Sequence, residues 1–290
     1  MLPSEVIPMN AKAEQSPGKP VRVITVTSGK GGVGKSNLTL GLALALAKLG
    51  KKVLIWDADL GLANIDVLLG LKTTATIHDL LNGSKTLPEI IADGPSGIRI
   101  MPAASGILEL GELSEGQKQR LLSEFDDWND ELDFLLIDTA AGIGSNVIYF
   151  NLAAQERIVV LTNEPTSITD AYALIKVLST RYQQNSFHIL PNQVAGPKEA
   201  KNVFSLLSTV ADKHLNQVSL SLLGYVPRDE NVTNAVRAQK PFLITHPDSE
   251  ASLRIMDIAR RLAANPPDEF ASGGLVFFLN RLASFGGAVD

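Results

Sequence analysis

The 290-residue sequence contains no cysteine. That excludes disulfides, thiolate metal sites, iron–sulfur clusters and cysteine nucleophiles. No stretch is apolar for 18 residues, so nothing in it reads as a membrane span. Like charges never run to five in a row, and 26 Lys and Arg against 31 Asp and Glu leave a net charge of −5. A surface that grips DNA unaided normally carries a basic patch, so this balance argues against direct nucleic-acid binding. Residues Met1 to Pro20 lack the apolar segment of a signal peptide. Their Pro, Ser, Asn, Gly and Lys content and their lack of periodicity predict a mobile leader over 1–20.

What is present is the material of a large soluble core, with 45% hydrophobic and 20% charged residues. Near-continuous Val, Ile and Leu runs at 21–27, 52–56, 98–102, 134–137, 157–161, 187–190 and 221–226 predict strands buried on both faces. Helix-length segments at 37–49, 114–128, 167–182 and 199–214 lie between them, the first closed by Gly50. The alternation predicts an α/β fold: a doubly wound, mostly parallel sheet flanked by helices, in one domain over 21–265. A Pro-rich break at 265–268 opens a linker and tail over 266–290.

Residues 29–36 read GKGGVGKS and match the phosphate-loop pattern G-x-x-x-x-G-K-[ST]. The loop follows a strand and opens a helix, which is the context the pattern needs. Its glycines let backbone N–H groups turn in around phosphate oxygens, and the helix N-terminus faces the same anion. Gly29, Lys30, Gly31, Gly32, Val33, Gly34, Lys35, Ser36 and Asn37 are therefore the candidate nucleotide-binding residues. Lys35 would reach the β- and γ-phosphates of ATP, and the Ser36 hydroxyl would hold Mg²⁺.

Two further strands end in acids. Asp57-Ala58-Asp59 closes one and Leu135-Leu136-Ile137-Asp138 another. Ligands of open α/β sheets sit at the carboxyl ends of strands. An acid delivered there by an apolar strand, as at Asp138, suits Mg²⁺ held through water. The acids at Asp57 and Asp59 could hold Mg²⁺ waters or orient an attacking water. In the tail, Leu275, Phe278, Leu279 and Leu282 share one helical face with other apolar residues. Such a helix suits either a membrane surface or its own domain.

The pattern K-G-G-x-G-K-[ST], with its second lysine at Lys30, resembles the deviant Walker A loop of the MinD/ParA ATPases, and the likeness runs from about Val21 to Asn265. It implies that Lys30 crosses a homodimer interface to the ATP of the other subunit. It further implies that Asp59 positions the hydrolytic water, that Asp57 supports the metal's water shell, and that Asn192 with Pro227, Arg228 and Asp229 holds the adenine. Within that class, the stretches DADLGLANIDVLLG, DTAAGIG and EPTSITDAYALIK resemble the FlhG/FleN branch. That branch implies a slow, Mg²⁺-dependent ATPase that regulates flagellar number. Its implied partners are a flagellar transcription activator of the FleQ/FlrA kind, the FlhF GTPase and the inner face of the cell membrane, reached from the cytoplasm. The D-Q-A-x-x-L-R motif that many members carry ahead of the ATPase domain has no match in Met1 to Pro20. MinD-type division-site and ParA-type partition ATPases are the alternatives. An iron–sulfur carrier of the same fold is excluded by the missing cysteines.

Overall fold

The computed structural model describes residues 21–59, 64–71, 73, 75–103, 113–127, 132–215, 217–264 and 275–284. The expected leader over 1–20 and the Pro-rich break at 265–268 lie outside the described residues. The first half runs β1 (Arg22–Ser28), α1 (Lys35–Lys48), β2 (Val53–Ala58), α2 (Ile65–Leu69), α3 (Ile77–Leu81), α4 (Leu87–Ile90), β3 (Ala92–Asp93), β4 (Arg99–Met101), α5 (Glu115–Asp127) and β5 (Phe134–Ala141). The second half runs α6 (Ser145–Ala153), β6 (Glu156–Leu161), α7 (Pro165–Tyr182), β7 (Ser186–Val194), α8 (Pro197–His214), β8 (Ser219–Leu222), β9 (Val226–Pro227), α9 (Glu230–Arg237), α10 (Phe242–Thr245), α11 (Glu250–Ala264) and α12 (Leu275–Ser284).

The strands form one sheet in the order β3-β4-β2-β5-β1-β6-β7-β8, with β9 extending β7. Every pair is parallel except β3 with β4. Alternation along each central strand explains its unbroken apolar sequence. In β2, Val53 and Ile55 enter the core beneath α1 and α11, whereas Leu54 and Trp56 enter the core on the other face. In β5, Leu136 joins the first core while Leu135 and Ile137 join the second. Helix α1 is apolar on nearly every side because it lies between the sheet and α11. It starts two residues before the expected Asn37, at Lys35, since Gly34 already makes the turn.

The run expected as one strand over 221–226 is divided into β8 and β9. Leu223 lies between them with its carbonyl taken by Arg261 Nη1 at 3.2 Å, and the Arg254 guanidinium covers the Tyr225 ring at 5.3 Å. Leu223 N still donates to the Ile189 carbonyl of β7 at 3.0 Å, and the ladder resumes at β9 with a register shift between Asn192 and Val194. At the tail, α12 packs on α5 and α6. Phe278 meets Trp56 edge-on with ring centroids 6.1 Å apart, and Phe125 and Phe150 complete the aromatic cluster around that tryptophan. Among the described residues no helix is long and apolar enough to cross a membrane.

Candidate functional site

The site lies at the carboxyl ends of β1, β2 and β5, where the phosphate loop joins β1 to α1. At least three of its glycines are needed by geometry, Gly32 through its φ of +77°. Gly34 has φ +93°, and a Cβ there would lie 2.5 Å from Asn192 Nδ2. A Cβ on Gly29 would overlap the Asp170 carbonyl of α7, so the loop's first turn is seated on that helix. Ser28 Oγ donates to the Lys30 carbonyl at 2.7 Å and accepts from Lys35 Nζ at 3.0 Å, which fixes the lysine inside the loop. Lys35 is buried. Burial pulls its ammonium below the ordinary value, against the opposing pull of Asp138 and Asp59.

The register of the sheet sets Asp138 beside both Asp57 on β2 and Val26 on β1. Asp138 is fully buried; Oδ1 accepts from Thr39 Oγ1 at 3.1 Å, and Oδ2 has no hydrogen-bond partner. Burial, aided by the neighbouring charge of Asp57, pushes its pKa up to about 7. An unpaired buried carboxylate oxygen is costly unless something cationic completes it. With the Ser36 hydroxyl among the groups that favour the Asp138 carboxylate, the donor set is hard oxygen and fits Mg²⁺, which takes one or two carboxylates and completes its shell with phosphates and water. Among the described residues no group of three or more His, Asp or Glu could hold a metal ion.

Asp57 has a different local setting from Asp138. Its carboxylate accepts from the backbone N–H groups of Asp59 (3.2 Å), Asn64 (3.0 Å) and Ile65 (3.1 Å), so it ties the start of α2 to the end of β2. Burial raises its pKa to about 6 in spite of those donors. Asp59 stands further out and accepts from Asn64 Nδ2 at 3.3 Å. Lys30 leans away from the loop: its Nζ binds the Glu164 carboxylate and Thr166 Oγ1 (2.9 Å) at the start of α7.

A cavity opens beside the helix end of the loop, lined by Gly34, Asn37, Leu38, Asn192, Gln193 and, opposite, Val226 to Asp229 with Val232. It brings together the loop and every residue expected at the adenine. Asn192 Nδ2 donates to the Val33 carbonyl at 2.7 Å, which ties β7 to the phosphate loop. Asp229 caps α9, accepting from Asn231 N (2.9 Å) and Ala251 N (3.2 Å), so its carboxylate is already engaged. Sequence reasoning did not single out Glu164 and Thr166 as holders of Lys30, or Gln193 in the cavity wall. The first two lie more than 130 residues from Lys30, and no local pattern marks them.

The tail residues lie apart from this site. Leu275 is half-buried, and Phe278, Leu279 and Leu282 are buried against α5, α6 and Trp56. Their face is turned into the protein here, and only Phe277, under the Arg281 guanidinium, is an exposed large apolar side chain of the described part of α12.

Comparison with known proteins agrees with this geometry. Residues 19–263 match the family model described as "ParA: NUBPL iron-transfer P-loop NTPase". The antiactivator FleN of Pseudomonas aeruginosa is 47% identical, over 91% of this chain and 94% of that one. The flagellum site-determining protein YlxH of Helicobacter pylori is 35% identical, over 91% and 90%. Among solved structures, the septum site-determining protein MinD of Pyrococcus horikoshii, complexed with Mg-ADP, superposes with a TM-score of 0.65 at 25% identity, covering 87% of this chain and 98% of that one. With a model match across most of its length and a parallel sheet that sets a lysine-bearing phosphate loop beside a buried aspartate, the chain belongs to the MinD/ParA family of P-loop NTPases.

Proposed function

We propose that this chain is a Mg²⁺-dependent ATPase that dimerises with ATP and regulates flagellar number or placement, by antagonising a flagellar transcription activator of the FleQ/FlrA kind. The observation that carries the nucleotide reading is the unpartnered Oδ2 of buried Asp138 beside Lys35 and Ser36. The flagellar role is supported by the identity to an antiactivator and to a flagellum site-determining protein.

In this reading Lys35 and the loop N–H groups hold the β- and γ-phosphates. Ser36 and Asp138 hold the metal, which neutralises developing phosphate charge. Asp57 supports the metal's water shell and ties Asn64 and Ile65 to the end of β2, and Asp59 orients the attacking water. Asn192 and the Pro227 to Asp229 backbone hold the adenine. Lys30 exchanges Glu164 for the nucleotide of the other subunit. The α12 helix binds the inner membrane surface reversibly once its apolar face is released, with two helices per dimer acting by avidity. The FlhF GTPase is a further partner.

Size-exclusion with light scattering tests the switch. Wild type should shift from monomer to dimer with Mg-ATP, Lys35→Ala should stay monomeric, and Asp59→Ala should remain dimeric because hydrolysis is blocked. A Lys35→Ala protein that dimerises with ATP, or Asp59→Ala hydrolysing at the wild-type rate, would sink the mechanism. Co-purification of the ATP-bound dimer with the flagellar activator, set against localisation to midcell, separates the flagellar role from a division-site role.

A further inference from the structure

Gln193 is the extra residue of a bulge. Between β7 and β9 the register runs from Asn192 opposite Val226 to Val194 opposite Pro227, two steps on one strand against one on the other. Gln193 takes up the difference in the left-handed region, at φ +56°. Glycine adopts that conformation freely and a side chain resists it. A bulge needed only to bend the strand would be better served by glycine. Bulges beside binding sites serve to re-aim a side chain, and a strained backbone there points to function.

The side chain is aimed at the nucleotide cavity. Gln193 lines it, and its Nε2 lies 3.9 Å from where a Cβ on Gly34 would be, so the amide stands over the end of the phosphate loop. Of the neighbouring Asn192 amide, Nδ2 is spent on the Val33 carbonyl and only Oδ1 is left for the base. Gln193 makes no side-chain hydrogen bond to another described residue, and its flexible stem can reach the cavity between the loop and Pro227.

We infer that Gln193 is a specificity-determining residue whose carboxamide reads the polar edge of adenine and so selects adenine over guanine nucleotides. The inference rests on the reading that this cavity takes a nucleotide. A carboxamide offers one acceptor and one donor side by side, which matches the exocyclic amine and adjacent ring nitrogen of adenine. Guanine presents two acceptors on the corresponding edge, so the Gln193 carbonyl would oppose its oxygen. Asn192 holds the strand end at a fixed distance from the loop, and the bulge lets the next side chain turn in rather than out.

Titration calorimetry with Mg-ADP and Mg-GDP on the full chain tests this. Gln193→Gly removes the carboxamide and relaxes the backbone; Gln193→Asn keeps a carboxamide that tolerates the left-handed region but falls short of the base. Both variants should match or exceed wild type in thermal stability. Both should lose about 5- to 150-fold in ADP affinity, the worth of one bidentate base contact, with GDP affinity unchanged or raised. The preference for ADP then collapses. If Gln193→Gly keeps the wild-type ADP-to-GDP ratio within about twofold, Gln193 serves the strand alone and the inference is wrong. Wild type that binds no adenine nucleotide would overturn the ATPase reading along with it.

Discussion

Replacing Glu164 by Gln should tighten the ATP-bound dimer. In the single chain Lys30 is held in place by Glu164 and by Thr166 Oγ1, and under the dimer reading it must leave both to reach the other subunit's nucleotide. The Lys30 and Glu164 side chains are 34% and 60% exposed. A pair so open to water contributes about 0.2–1 kcal/mol. Two such pairs break when a dimer forms, so together they oppose association by about 0.4–2 kcal/mol, roughly 2- to 30-fold in Kd. Gln keeps the length and a hydrogen-bond acceptor but loses the charge, which places the expected gain in the lower half of that range. Sedimentation velocity over a concentration series gives the Kd directly, with Asp59→Ala in both proteins to keep ATP intact. Raising the salt should shrink the difference between them, because an exposed pair is screened. Monomer thermal stability should barely change. A Glu164→Gln dimer of equal or weaker affinity, from a monomer of unchanged stability, would refute the idea that this contact restrains Lys30.

Two other consequences are measurable. Asp138 and Asp57, raised from 3.8 to about 7 and about 6, hold protons in the folded state that the unfolded chain has released. The stabilisation they give nucleotide-free protein is therefore full below pH 4 and is lost as pH rises through 6 to 7. Between pH 5 and 8 the loss should be on the order of 4 kcal/mol; thermal unfolding should show it in wild type, weakened in Asp138→Asn and by saturating Mg-ATP, and equal pH slopes in both proteins would contradict the burial argument. For the tail, Phe278→Ala removes about 3–5 kcal/mol of packing, enough to release α12. With Trp128→Phe leaving Trp56 as the only remaining one of 2 tryptophans, its emission should shift red and vesicle binding should rise; unchanged emission would mean that α12 is held by other contacts.

What the sequence made legible, and what it hid, divides along the range of the interactions. The phosphate loop was readable because its chemistry is contiguous: strand, glycines, Lys35 and Ser36 follow one another, and the tight turns of a phosphate loop favour glycine. Asp138 was readable because an apolar strand ending in an acid is local too. The division of residues 221–226 into β8 and β9 was not, because it coincides with a register shift on β7 and with α11 contacts to Leu223 and Tyr225, of which strand propensity carries no record. The amphipathic tail showed the same limit from another side. Periodicity identified the face of Phe278, Leu279 and Leu282 but is blind to what covers it, and a face built to leave water is satisfied equally by lipid or by Trp56. Lys30 is the sharpest instance. Its resemblance to the second lysine of the MinD/ParA loop implies a contact with another subunit, yet its resting partners are set by how Gly29 seats the loop on α7, which brings Glu164 and Thr166 within reach. The loop and its restraint are thus one piece of packing. The contact with Asp170 that requires glycine at 29 also sets how far Lys30 must travel, so a change in α7 that shifts the loop will alter nucleotide binding and dimer affinity together.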